Sequence, residues 1–249
     1  MNINIPTNHP RAKSLQIREL IVNGFRNGLV VPEGLTAHGR GEAFDYLMGE
    51  YTSEVARNAA KAASSTLLLA NHPVISVNGN VAALCAKEIV ELSHITGAVI
   101  EVNLFYRTEE REIAIERELK KNKAKIVLGI KKSKASTIPE LQSERRRVDP
   151  NGIYKADALL VPLEDGDRTE ALVNIGKTVI TIDLNPLSRT AKAAQITVVD
   201  NIIRAIPEMI IAAKHLKSKD KSILKKIVEE FDNESNLAES LKIIRGGKW

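Results

Sequence analysis

The chain has 249 residues, 43% of them hydrophobic and only 4% aromatic, which suits one large α/β domain or two small ones around an aliphatic core. Its 36 Lys and Arg against 31 Asp and Glu give a net charge of +5, which permits an anionic ligand without demanding nucleic acid. A single cysteine, Cys85, excludes an intramolecular disulfide framework, and neither a secretory h-region nor a run of about 18 apolar residues is visible, so a cytoplasmic protein with no membrane partner is expected.

From Pro10 to about Ser65 the pattern is helical, and residues 1–65 are expected to form an N-terminal helical segment. In RAKSLQIRELIVNGFRNGL, Ile17, Leu20, Ile21, Gly24 and Leu29 make an apolar stripe, while Arg11, Ser14 and Arg18 share another face. A second helix is expected to start after HGRG, since Phe44, Leu47, Met48, Tyr51 and Val55 recur at helical spacing, and the Ala-rich ARNAAKAASS continues it. That reading puts Gly39-Arg40-Gly41 at a helix N-terminus, with the guanidinium exposed and an anion favoured beside it.

From Thr66 to about Lys217, β-branched apolar runs alternate with helical patterns. The predicted strands are PVISV, GAVIEV, AKIVLGI, ADALLVPL, TVITIDL and AQITVVD; the predicted helices are VAALCAKEIVEL, EEREIAIERELKKN, PELQSERRR and RTEALVNIG. Strict alternation with strands apolar on both faces predicts a Rossmann-like α/β core over 66–217, a doubly wound and mainly parallel sheet of about six strands. The helix NIIRAIPEMIIAAKHLK closes it, and a polar KSKDKS break leads to a C-terminal helical extension, 218–249, with SILKKIVEEFDNESNLAESL as one helical stretch.

Open α/β sheets bind ligands outside the carboxyl ends of their strands. The residues that follow each predicted strand are therefore the candidates. They are Asn78-Gly79-Asn80; Asn103 and Arg107; Lys131, Lys132 and Lys134; Glu164-Asp165-Gly166-Asp167; Asp183, Asn185, Ser188, Arg189 and Thr190; and Asp200-Asn201. Each has a plain alternative. Asn78, Asn80, Asp200 and Asn201 are also ordinary helix caps, and Arg145-Arg146-Arg147 reads as an exposed helix end that would serve a nucleic-acid binder. Five histidines without metal spacing and one cysteine argue against a structural zinc site, and no metal ligand is assigned. Two stretches exceed the plain reading: the glycine-flanked Arg40, and the loop from Asp183 to Thr190, where a carboxylate, hydroxyls and a guanidinium fall within one turn.

HPRAKSLQIRE, AHGRGEAFDYLMGE, HPVISVNGN, NLFYRTEERE and IDLNPLSRTA, in this order from about His9 to about His215, resemble the archaeal phosphopantothenate synthetase family. The resemblance implies an ATP-dependent, AMP-forming ligase of coenzyme A biosynthesis that joins 4-phosphopantoate to β-alanine and releases pyrophosphate. It also implies a Rossmann-like homodimer. It carries ATP contacts onto Arg18, Arg40, Asp183, Leu184, Asn185, Ser188, Arg189, Thr190, Asp200 and Asn201. Release of AMP implies an acyl-adenylate, with Mg²⁺ and arginines offsetting charge on the phosphates; Arg40 and Arg18 are the expected catalytic cations. The second anion, 4-phosphopantoate, is expected at Asn78, Gly79, Asn80, Asn103 and Arg107. The competing readings are a non-catalytic nucleotide-binding regulator on the same fold and a basic nucleic-acid-binding protein.

Overall fold

The computed structural model describes residues 6, 8–9, 11–130, 135–139, 141–163 and 165–246, so the expectations placed on Lys131, Lys132, Lys134 and Glu164 lie outside the described residues. Three helices come first: α1 Ala12–Arg26, α2 Pro32–Met48 and α3 Glu54–Leu69. Then follow β1 Pro73–Val77, α4 Gly79–Thr96, β2 Val99–Val102, α5 Glu109–Lys121 and β3 Val127–Leu128. A short ribbon, β4 Ser136–Thr137 with β5 Arg147–Val148, precedes β6 Ala158–Leu160, α6 Gly166–Asn174, β7 Thr178–Ile182, α7 Arg189–Ala193 and β8 Ile196–Val198. The chain ends in α8 Ile202–Leu216, α9 Lys221–Glu229 and α10 Asn233–Gly246.

The six expected strands form one parallel sheet in the order β3-β2-β1-β6-β7-β8. Counting only these strands, this is the doubly wound order, with the direction of winding across the sheet reversing between β1 and β6. Side chains alternate across the sheet, yet both sets are apolar. Ile75, Val77, Ile100 and Ile180 face a core built with α3, α4, α5 and α8, while Val74, Leu159, Val161 and Val179 pack with α6 and with Ile138, Leu141, Val148 and Ile153. The Ala-rich sequence of α3 is what lets it lie close to α8: Ala59, Ala62, Ala63 and Ser64 are fully buried, and the Ser64 hydroxyl donates to the Met209 carbonyl at 2.8 Å.

Four local expectations fail, each for a visible reason. HGRG does not precede the second helix; it lies inside α2, which starts six residues before His38 with Pro32 in its first turn and Glu33 beside the orphan N–H groups. Nor does ARNAAKAASS continue that helix. Gly49 leaves it at φ +84°, and Ser53 caps a new one by accepting from the Ala56 N–H at 3.1 Å. The described residues of PELQSERRR form no α-helix: Glu144–Arg146 is a single 3₁₀ turn feeding the β4–β5 ribbon, whose Ser136 and Thr137 pair with Val148 and Arg147. The predicted stretch SILKKIVEEFDNESNLAESL divides into α9 and α10 at Asp232, which accepts from the backbone N–H groups of Glu234 and Ser235.

Candidate active site

The carboxyl edge of the sheet opens into one cavity of about 850 Å³, near the upper end of the range typical of small-molecule sites. Its floor is the point where strand order reverses. Asn78, which follows β1, spans that point: its amide donates to the carbonyls of Pro162 and Leu163 beyond β6, while its Oδ1 accepts from the Val81 N–H and caps α4. Asn78 is therefore the helix cap of the plain reading, and it also lines the cavity.

α2 roofs the cavity. Its glycines let the backbone approach: a Cβ on Gly34 would lie 2.3 Å from Asn80 Oδ1, and one on Gly41 would lie 3.2 Å from Asn201 Nδ2. Asn80 donates to the Gly34 carbonyl at 2.8 Å, and Asn201 donates to Asp45 at 3.2 Å. Arg40 thus lines the cavity from mid-helix, exposed, with its Nε on the Ala37 carbonyl, rather than from a helix N-terminus as expected.

One end of the cavity is formed by the loop after β7. Asp183 accepts from the Asn185 N–H and from the Ser188 hydroxyl, and Ser188 in turn caps α7 by accepting from the Ala191 N–H at 2.9 Å. This chain of bonds makes Asp183–Thr190 a fixed loop and leaves Leu184, Asn185 and Arg189 along the wall. Arg189 is exposed and paired with Asp167 and Glu170 at 2.7 Å each. Asn201 also lines this end, but Asp200 does not; it is buried, accepting from Thr52 and the Asn201 N–H and ion-paired with Arg204 at 2.6 Å. Burial holds its carboxyl above the ordinary range against those partners. Asp45 joins Arg204 from α2 at 2.6 Å, so this triad ties the roof to α8.

The other end differs from expectation. Asn103 is fully buried and donates to the carbonyls of Arg145 and Arg147. Arg107 is equally occupied: it is buried against Glu112 at 2.6 Å and donates to the carbonyls of Gly129 and Arg147. Neither lines the cavity; both hold the backbone that presents its neighbours. The cations that do line this end are Arg111 and Arg145. Arg145 is no exposed helix end: it is 7% exposed, bonded to Asp165 at 2.9 Å, and its guanidinium stands 5.9 Å from the Phe105 ring centre. Burial lowers its pKa to about 10, and repulsion from Arg168 and Arg111 adds to that against the attraction of Asp165. Arg168, fully buried behind it, is held at about 10 by burial despite Glu101 and Asp165. Arg111 donates to the Leu29 carbonyl at 2.9 Å, and burial lowers its pKa too, with Glu33 opposing. Arg145 is thus repelled by both Arg168 and Arg111, and with the N-terminus of α4 beside Arg111 this end of the cavity is electropositive. The sequence signal for Arg111 was available in NLFYRTEERE, one turn past Arg107; the signal for Arg145 was hidden by reading its segment as a helix.

Arg18 also stays off the cavity wall, paired with Glu42 on α2 at 3.0 Å. The carboxylates that line the cavity are Glu33, Asp165 and Asp183, and among the described residues no cluster of three His, Cys, Asp or Glu could hold a metal by itself.

The model of the family described as phosphopantothenate/pantothenate synthetase matches residues 55–247. The chain is 56% identical over 244 residues to the 4-phosphopantoate--beta-alanine ligase of Thermococcus kodakarensis, covering 98% of this chain and 93% of the relative. It is 54% identical to the protein of that name from Thermococcus onnurineus, over 99% of this chain and 97% of the relative. Against the one from Methanosarcina mazei the identity is 52%, over 97% and 94%.

Proposed function

The chain belongs to the phosphopantothenate/pantothenate synthetase family, and from that membership we propose that it is an ATP-dependent ligase joining 4-phosphopantoate to β-alanine, with release of AMP and pyrophosphate, in coenzyme A biosynthesis. The observation that carries the site assignment is a single cavity with two cationic ends, one at Arg111 and Arg145 and the other at Arg40 and Arg189. The reaction brings together two anions, and each needs its own pole.

ATP lies toward the β7 end. Leu184 and Asn185 face the adenosine, Ser188, Arg189 and Thr190 with Arg40 receive the phosphates, and Asn201 contacts the ribose or base, its N–H held by Asp200. Arg18 joins by exchanging Glu42 for phosphate oxygens. Asp183 works through the loop it closes. Mg²⁺ would come with ATP and offset charge on its phosphates, and a single carboxylate of the wall would suffice to hold it there, which fits a wall without a ligand cluster among the described residues. At the other pole, Arg111, Arg145 and the N-terminus of α4 at Gly79 and Asn80 take the phosphate of 4-phosphopantoate, and Asn78 forms the floor beneath it. Asn103 and Arg107 position the Arg145–Arg147 backbone.

Held between the poles, the pantoate carboxylate attacks the α-phosphorus and pyrophosphate leaves, giving an acyl-adenylate that the amine of β-alanine then opens. Positioning two bound reactants supplies much of the rate, and the arginines suppress the anion repulsion. A cytoplasmic homodimer is part of the same proposal; Leu20, Phe25, Tyr46 and Leu47, exposed on α1 and α2, offer apolar surface for a second copy. The test incubates the protein with ATP, Mg²⁺, 4-phosphopantoate and β-alanine. Stoichiometric AMP and amide support the ligase, ADP excludes the adenylate route, and nucleotide binding without product favours a regulator.

A further inference from the structure

α2 crosses the cavity between its two poles, and its close contacts mark the crossing. Gly34 packs on Asn80 at the α4 N-terminus, and Gly41 packs on Asn201 at the α8 N-terminus. At about 1.5 Å per residue, His38 lies roughly 6 Å along the helix from the first contact and roughly 4.5 Å from the second. Gly34, His38 and Gly41 share one helical face, and all three line the cavity. His38 therefore stands over the middle, where the carboxyl carbon of one substrate and the α-phosphorus of the other must meet. Of the chain's five histidines it is the one that lines the cavity among the described residues. Two of the other candidate proton acceptors there are engaged, Asp165 holding Arg145 and capping α6 and Asp183 holding Ser188, and the third, Glu33, is an exposed residue in the first turn of α2, away from His38 toward Arg111.

Resting on the ligase reading, we propose that His38 is the proton acceptor for the amine of β-alanine in the second half of the reaction. β-Alanine enters as an ammonium ion. One N–H proton passes to the imidazole, and the freed electron pair attacks the acyl carbon. As the C–N bond forms and the tetrahedral species collapses, the C–O bond to AMP breaks, its electron pair leaves on the phosphate oxygen, and the nitrogen's remaining surplus proton goes to that oxygen. This role requires a neutral imidazole. Burial lowers the pKa of His38 from its ordinary value; Glu42 and Asp45 on α2 pull it up, and Arg18 on α1 pushes it down. The residues that α4 and α10 bring to the cavity beside it, Asn80, Leu241 and Ile244, carry no charge.

The experiment compares two readouts in His38→Gln. One is ATP–pyrophosphate exchange dependent on 4-phosphopantoate, without β-alanine; the other is amide formation with all substrates. The exchange rate is expected within about twofold of the unaltered enzyme, while kcat for the amide falls about 10²- to 10⁴-fold. The acid limb of the kcat–pH profile should vanish with the imidazole, leaving only the limb that belongs to β-alanine's own ammonium. Exchange in the same variant also shows that it is folded. An amide kcat within about threefold of the unaltered enzyme overturns the proposal, and so does a parallel loss of exchange. If the unaltered enzyme shows no exchange, the adenylate reading itself fails and this role fails with it.

Discussion

Gly79→Ala tests the geometry of the phosphopantoate pole most sharply. A Cβ there would lie 2.0 Å from the Leu29 carbonyl oxygen and 2.8 Å from Arg111 Nη2. The first neighbour is backbone, pinned by Leu29 and Val30 N–H groups on the Gly24 carbonyl at 2.8 and 3.2 Å, so it cannot rotate away. Relief needs the carbonyl to retreat by roughly 1 Å, an overpacking cost of about 1–3 kcal/mol. The same shift disturbs the Arg111–Leu29 bond of 2.9 Å, worth about 1.5–3 kcal/mol as a bond to a charged group. A total of about 2.5–6 kcal/mol would lower Tm by roughly 5–24 °C in a chain of this size. The control is Gly39→Ala, where nothing lies within 4 Å of the new Cβ and a helix-interior glycine is removed, for a gain of about 0.5–1 kcal/mol. Urea and thermal unfolding of both variants, with KM for each substrate, make the assay. Gly79→Ala should lose stability and raise the KM for 4-phosphopantoate more than that for ATP, because Arg111 moves and Arg40 does not. A Gly79→Ala protein as stable as the unaltered one, with both KM values unchanged, would refute the close approach and the placing of Arg111.

Three further outcomes are expected. Arg111→Gln should raise the KM for 4-phosphopantoate about tenfold or more with little change for ATP, and Arg189→Gln should do the reverse; steady-state kinetics with each substrate varied reads both. Burial pushes the pKa of Glu101 up to about 7, against the N–H groups of Ile153 and Asp149 and the charge of Arg168. Its folded pKa therefore exceeds the unfolded one, and the folded chain holds the extra proton between about 4.5 and 7. Stability contributed by this group is full below that window and falls by roughly 3 kcal/mol as pH rises through it. Urea midpoints at pH 5 and pH 8 should show this slope, and Glu101→Gln should lack it. Arg204→Leu should cost about 3–5 kcal/mol, since it leaves Asp200 and Asp45 uncompensated, one of them buried; urea unfolding measures it.

The sheet was legible because its strands are continuous β-branched runs at regular spacing, and burial on both faces leaves no other reading of them. Strand order carries no local signal, so the reversal between β1 and β6, which makes Asn78 the cavity floor, could not be read. The start of α2 was misread because Phe44 to Val55 gave the louder apolar period, while Pro32-Glu33 marked the true N-terminus. The cationic pole was misplaced for a different reason. Asn103 and Arg107 sit at the right strand end, but the backbone carbonyls of Arg145, Arg147 and Gly129 claim them, and those carbonyls come from about 20 to 44 residues away in sequence. A non-local partner decides whether a polar side chain serves the fold or the ligand, and no pattern within one segment reports it. Arg145 shows the converse: an arginine in a charged run reads as solvated, until Asp165 and Phe105 arrive beside it from other loops.

The chemistry between the two poles leaves an isotopic record. With 4-phosphopantoate labelled by ¹⁸O in its carboxylate, attack on the α-phosphorus places one labelled oxygen on the phosphate that leaves with AMP. Mass spectrometry of the nucleotide product reads this directly. An acyl-adenylate predicts one ¹⁸O in each AMP formed and none in pyrophosphate. Label in inorganic phosphate alongside ADP, or AMP carrying no label, would contradict it.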